Sequence, residues 1–201
     1  IVDEWGNWHD VEPGTNPGFL YQQNTLRDAL VASVNLDLFN KYARRVKMAN
    51  IAQTVNVLQA MILTKDDKIV KTPSFYVFKM YMVHHDATLL PSNITSENYS
   101  FGNESVPALS ATASKDASGK IHVTITNLNP GKNLEVSCDL RGKEGVKFEK
   151  GSIVTGEKIN SYNDFGKNEE ITLKNFTDVK TSGSSVTVNV PAKSVVMIEL
   201  N

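Results

Sequence analysis

The chain opens Ile1-Val2-Asp3-Glu4-Trp5-Gly6-Asn7-Trp8, two apolar residues running into two adjacent acids and then two tryptophans. A short apolar run that ends in acids has the look of a buried strand whose last residues emerge into solvent. There is no initiator methionine, basic leader or long apolar stretch ahead of it. A chain that begins inside such a strand is expected to be a fragment. The following stretch, Asp10 to Gly18, carries Pro13, Gly14, Pro17 and Gly18 and reads as a loop lying over the strand's end.

Working outward, residues 22–45 place Leu26, Leu30, Val34, Leu38 and Tyr42 at four-residue spacing, an amphipathic helix that packs on something large. Val46 to Ile51 follows as a short strand, and Thr54 to Leu63 fits either a strand end or a helix. Pro73 suits the first turn of a second helix through Phe75, Phe78, Met82 and Val83. Strand, loop, helix, strand, helix is the pattern of a parallel sheet. Two parallel strands cannot stand alone, because both of their faces need cover. Residues 1–87 are therefore expected to be the last two strands and helices of a (β/α)₈ barrel. In that fold Glu4 would lie on the face where active sites are built.

From residue 88 the period changes to two. Leu109, Ala111 and Ala113 alternate with polar residues. So do Ile121, Val123 and Ile125; Leu134, Val136, Cys138 and Leu140; Ile171 and Leu173; Val186, Val188 and Val190; and Val196, Ile198 and Leu200. Turn residues, Gly142, Gly151 and Gly166 among them, separate these runs. Residues 88–201 thus read as an antiparallel β-sandwich of jelly-roll type. Polar residues 92–107 read as a surface connection.

Charge removes one class of function. The 21 Lys and Arg are balanced by 22 Asp and Glu, so no basic stripe exists to displace counterions from a nucleic acid. Arg27, Arg44 and Arg45 share a helical stretch with Asp28 and Asp37, which reads as a solvated face. No apolar run is long enough for a membrane span. Cys138, the single cysteine, excludes an intrachain disulfide and sits on the apolar face of its strand. His84-His85-Asp86 does not read as a metal site, because adjacent helical histidines point in different directions. Tyr76, Phe78 and Tyr81 read as packing between the two halves of the chain.

A strand-end carboxylate beside tryptophans suits sugar chemistry, since glycosidases need carboxylates and aromatic faces bind sugar rings. Spacing alone leaves a structural reading open, with Asp3 and Glu4 paired to Arg44 or Lys47. His9 fits either the cleft or an exposed loop, and Asp10 and Glu12 read as solvated loop acids.

Four blocks bear on this choice: VDEWGNW, DVEPGTNPGFLYQQNTLRDALVASVNL, RVKMANIAQTVNVLQAMI and FYVFKMYMVHHDATLLP. Together they make residues 1–91 resemble the α-L-arabinofuranosidases of glycoside hydrolase family 51. The resemblance implies that Glu4 is the catalytic nucleophile and that Trp8 and Gln53 bind substrate. For Gln53 the residues themselves fit an ordinary backbone-capping amide equally well. It further implies a retaining hydrolase releasing terminal α-L-arabinofuranosyl groups from arabinan, arabinoxylan or their oligosaccharides. No cofactor or metal is implied, and a homo-oligomer is a common state in that family. The family's acid/base Glu follows an Asn on an earlier barrel strand and has no counterpart here, so the chain alone is expected to be inactive. Its expected partners are arabinofuranosyl glycans and the missing N-terminal part of the barrel. A bacterial origin is expected, with the compartment open between cytoplasm, periplasm and exterior. A non-catalytic carbohydrate-binding or structural module is the rival reading. An intact nucleophile block counts against it, and the missing acid/base counts for it.

Overall fold

A computed structural model describes all of residues 1–201. Strand β1, Val2–Trp5, pairs in parallel with β2, Ala49–Ile51, and helix α1, Leu26–Lys41, lies between them in sequence. The helix is shorter than the 22–45 stripe predicts, because Gln22 to Thr25 are drawn into polar contacts before it starts. Beyond β2 comes a hairpin that the sequence pattern does not announce: β3, Ile62–Lys65, and β4, Lys68–Lys71. Its turn places Asp66 in the left-handed region. Helix α2, Pro73–Tyr81, starts with its proline at the first turn, where a missing N–H costs nothing.

The rest is strand. β5, Thr88–Leu89, precedes a second unannounced hairpin, β6, Asn98–Phe101, with β7, Glu104–Pro107, inside the expected polar connection. Then follow β8, Leu109–Lys115; β9, Ile121–Asn127; β10, Leu134–Asp139; and β11, Phe148–Thr155. The last four are β12, Lys174–Asn175; β13, Val179–Ser182; β14, Ser185–Val190; and β15, Ser194–Leu200. The Ile171–Leu173 alternation is not a strand of its own. Ile171 is instead fully buried in a loop, its backbone held by Asn163.

Six strands form one antiparallel sheet in the order β12-β11-β15-β9-β8-β5, and three form another, β10-β14-β13. Period-two alternation decides what each face meets. Ile121, Val123, Ile125, Val196, Ile198 and Leu200 point to one side, where they share a core with Val186, Val188 and Val190 of the smaller sheet. Val154, Val195 and Met197 point to the other side and pack on Leu26, Ala29 and Leu30 of α1 and on Tyr76, Val77 and Tyr81 of α2. The larger sheet is thus covered on both faces, and the tyrosines do join the two halves of the chain.

Under the helices this second face is partly polar, and several of its groups pair with one another. Asp37, with 5% exposure, accepts hydrogen bonds from Tyr81 Oη at 2.7 Å and Ser110 Oγ at 2.6 Å. Thr126 Oγ1 donates to Ser33 Oγ at 2.9 Å, and His84 bonds Ser114 and Thr124 through its two ring nitrogens. Asp37 and Asp28 are buried, so the solvated face expected for α1 is corrected: Arg27 in the helix and Arg44 and Arg45 beyond its end face solvent, and these two acids face inward. No helix is long and apolar enough to cross a membrane.

Candidate active site

Parallel pairing brings the two sequence-predicted blocks together. Val2 pairs with Ala49 and Trp5 with Ile51, and Ala52 N–H donates to Trp5 O at 2.8 Å where the pair ends. Glu4 and Gln53 therefore sit at the same, C-terminal end of neighbouring strands, and both are exposed. A cis peptide bond joins Ala52 to Gln53. Neither the Asp3 nor the Glu4 carboxylate takes part in any ion pair or hydrogen bond, Asp3 accepting from Asn50 Nδ2 only through its backbone carbonyl, so the expected alternative pairing to Arg44 or Lys47 does not form. Trp5 turns the other way, stacking on Phe78 with centroids 6.0 Å apart and meeting Phe39 edge-on. Next to it Gly6, at φ +150°, lets the chain pass close to the next strand. A Cβ there would stand 3.1 Å from Gln59 Cγ and 3.4 Å from Ala52 O.

Trp8 is 66% exposed and forms one wall of an open cleft of about 490 Å³. His9, Asp10, Glu12, Gln22, Gln23 and Arg27 line the rest. Glu12 is not simply a solvated acid, because its carboxylate accepts from Gln23 N–H at 2.9 Å.

Beneath the cleft, Asp28 gathers donors from three directions. Its carboxylate accepts Asn7 Nδ2 at 2.9 Å, His9 Nε2 at 3.0 Å, Thr25 N–H at 2.8 Å and Arg27 Nη2 at 3.1 Å. Burial pushes this carboxyl up. The hydrogen bonds from Asn7, Thr25 and His9, with the charge of Arg27, more than offset that, and the net shift is downward. Gln22, 2% exposed, accepts His9 N–H at 2.8 Å and donates to Asn7 O at 3.1 Å. Sequence reasoning passed over Asp28 and Gln22. The available signal was Thr25-x-x-Asp28, an acid three residues past a helix cap, whose side chain reaches back to the cap's N–H.

A strap from the C-terminal half closes this region. Leu26 N–H donates to Ser161 O and Arg27 N–H to Ile159 O, both at 2.9 Å, so the first free amides of α1 are capped by backbone more than 130 residues later. Asn163 pins the strap by donating to Lys71 O and Ile171 O and accepting Ile171 N–H. Tyr76 Oη reaches Glu169 across the same boundary.

Comparison with known proteins places this arrangement. The family described as the α-L-arabinofuranosidase C-terminal domain matches residues 3–194. An intracellular exo-α-L-arabinofuranosidase of Bacteroides ovatus is 51% identical over 201 residues, all of this chain and 39% of that protein. A probable α-L-arabinofuranosidase C of Aspergillus niger is 30% identical over 175 residues, 83% of this chain and 34% of that one. Among solved structures, the GH51 arabinofuranosidase of Xanthomonas axonopodis pv. citri superposes with a TM-score of 0.97 at 45% identity, covering all of this chain and 41% of that one. The arabinose complex of the Thermotoga maritima enzyme gives 0.83 at 25% identity, covering 98% and 42%. The chain is a mostly β-sheet unit with few helices, matching the C-terminal portion of GH51 enzymes. It belongs to the α-L-arabinofuranosidase C-terminal domain family. It spans about two fifths of the length of these relatives.

Proposed function

We propose that this chain supplies the nucleophile-bearing end of a retaining α-L-arabinofuranosidase, with Glu4 as nucleophile and Trp8 and Gln53 as substrate contacts. The observation that carries the reading is an exposed, unpaired Glu4 at the C-terminal end of β1, beside Gln53 at the end of the parallel strand β2. In this reading residues 1–87 are the last two strands and helices of a (β/α)₈ barrel, and residues 88–201 are a jelly-roll-like β-sandwich. The groove of about 680 Å³ floored by Leu36, Phe39, Val46, Met48, Phe75 and Phe78 is where the earlier barrel elements pack.

The chemistry follows from two carboxylates about 5 Å apart. Glu4, as carboxylate, attacks the anomeric carbon while an acid from the earlier barrel strands protonates the departing glycosidic oxygen. Water, deprotonated by that same group, then cleaves the arabinosyl ester and restores Glu4. The Trp8 indole offers an apolar face to the sugar ring, and the Gln53 amide donates hydrogen bonds without adding charge. The substrates are terminal α-L-arabinofuranosyl groups of arabinan, arabinoxylan and related oligosaccharides.

The test grafts residues 1–201 onto the Bacteroides ovatus relative in place of its matching segment. The graft is expected to hydrolyse dinitrophenyl α-L-arabinofuranoside with retention. Its Glu4→Gln variant should lose about three orders of magnitude or more. That leaving group needs little acid help, so the assay reads the nucleophile. An active graft indifferent to Glu4→Gln would overturn the assignment and favour a non-catalytic role for this chain.

A further inference from the structure

The tryptophan of the cleft is held from underneath on both of its sides. Asn7 and His9, its two neighbours in the chain, send their side chains to the same Asp28 carboxylate, at 2.9 and 3.0 Å. Their backbones are gripped a second time by one amide: Gln22 accepts from His9 N–H and donates to Asn7 O. Asp28 is 1% exposed and Gln22 2%, whereas Trp8 between them is 66% exposed and has no hydrogen bond of its own. An exposed aromatic ring on a loop ordinarily loses rotamer and backbone freedom when a ligand binds it, which weakens binding. Here four contacts to two buried side chains remove the backbone part of that freedom in advance. Asp28 is in turn fixed by Thr25 N–H and by its place in the first turn of α1, so the loop is registered against a rigid element.

We propose that Asp28 and Gln22 are positioning residues for the glycosidase reaction, clamping Asn7 and His9 so that Trp8 is pre-set as the platform for the substrate sugar. The inference rests on the assignment of Trp8 to the substrate pocket. Both side chains are buried and bond Asn7 and His9 through their polar atoms, so each acts through the tryptophan.

Two measurements test it. In the 201-residue chain carrying Trp5→Phe, Trp8 is the only indole, and its fluorescence anisotropy decay reports its local motion. Asp28→Asn and Gln22→Ala are each expected to add a fast, large-amplitude component, and Asn7→Ala a smaller one. Circular dichroism confirms that α1 stays folded. An unchanged decay in folded Asp28→Asn and Gln22→Ala chains would overturn the clamp whatever the catalytic results. In the grafted enzyme, Asp28→Asn should raise KM for an arabinofuranosyl disaccharide about tenfold, the loss of roughly one hydrogen bond to a charged group, with a smaller change in kcat. Added to Trp8→Ala, it should change KM little further, because its effect runs through the ring. Additive effects would refute action through Trp8. A Trp8→Ala graft with normal KM would overturn the substrate-contact reading beneath the proposal, and the anisotropy decay would then still decide the clamp itself.

Discussion

Asp37 and His84 lie on the same buried face and pull the fold's pH dependence in opposite directions. Burial pushes the Asp37 carboxyl from 3.8 up to about 7, against the opposing hydrogen bonds from Ser110 and Tyr81. Burial pushes the His84 imidazole from 6.5 down to about 4, with smaller help from His122 and His85. Between these limits the folded chain holds a proton at Asp37 that unfolding releases, so stability from this group falls as pH rises. At His84 unfolding takes up a proton the folded chain lacks, so stability from this group rises with pH. One proton is worth about 1.4 kcal/mol per pH unit, and the two slopes nearly cancel in the wild type. Asp37→Asn keeps an acceptor for Tyr81 and removes one slope. His84→Gln keeps polar atoms for Ser114 and Thr124 and removes the other. Urea unfolding followed by far-ultraviolet circular dichroism, between about pH 4.5 and 6, should show Asp37→Asn gaining and His84→Gln losing roughly 2 kcal/mol. Surface carboxylates shift all three profiles alike and drop out of the difference between variants. Glu199 also drops out. Its burial is outweighed by hydrogen bonds from Lys120, Lys150 and His122, which hold it at about 2, so its contribution is lost only below this window. Two variants with parallel profiles would refute the reasoning.

Three further outcomes follow from packing and burial. Gly151→Ala would bring a Cβ to 2.7 Å from Phe176 O and 3.2 Å from Met197 O, backbone that cannot swing aside. It should cost about 1–3 kcal/mol in urea unfolding, and a neutral result would show that β11 can shift. Asn163→Ala orphans Lys71 O and the backbone of Ile171, with a loss of about 2–3 kcal/mol and new proteolytic cuts within residues 157–171. An unchanged digestion pattern would argue against the strap's dependence on Asn163. Burial raises the Cys138 thiol, so iodoacetamide near neutral pH should label it more slowly than a cysteine peptide until urea is added. Equal rates in native and unfolded chain would contradict its packing.

Where period and burial agreed, the sequence was readable. The strands at Ile121, Val186 and Val196 and the two helices lie close to where their patterns put them, because their apolar residues recur at the period of a face that meets a core. β11 escaped notice for a physical reason. Its neighbours Ile153 and Val154 turn to opposite cores and break the alternation, Glu149 and Lys150 are exposed, and Gly151 reads as a turn residue. That glycine is instead required by the nearby Phe176 carbonyl. The two added hairpins are short, and β6 and β7 are largely exposed, which leaves little apolar signal. At the candidate site, Glu4, Trp8 and Gln53 stand in local blocks, and the strand ends within those blocks are legible. Asp28 and Asp37 are not, since an acid on a helix reads as solvated until its long-range donors are known: Asn7 and His9 for one, Tyr81 and Ser110 for the other.

The strap that caps α1 ties the two halves of the chain into one thermal unit. Ile159 and Ser161 hold the same helix start that carries Asp28, so a sheet that loosens on heating also releases the floor beneath the cleft. In the grafted enzyme, loosening of that strap would then inactivate without any change at Glu4. Stiffening residues 157–171 should prolong working life more than any change made next to Glu4.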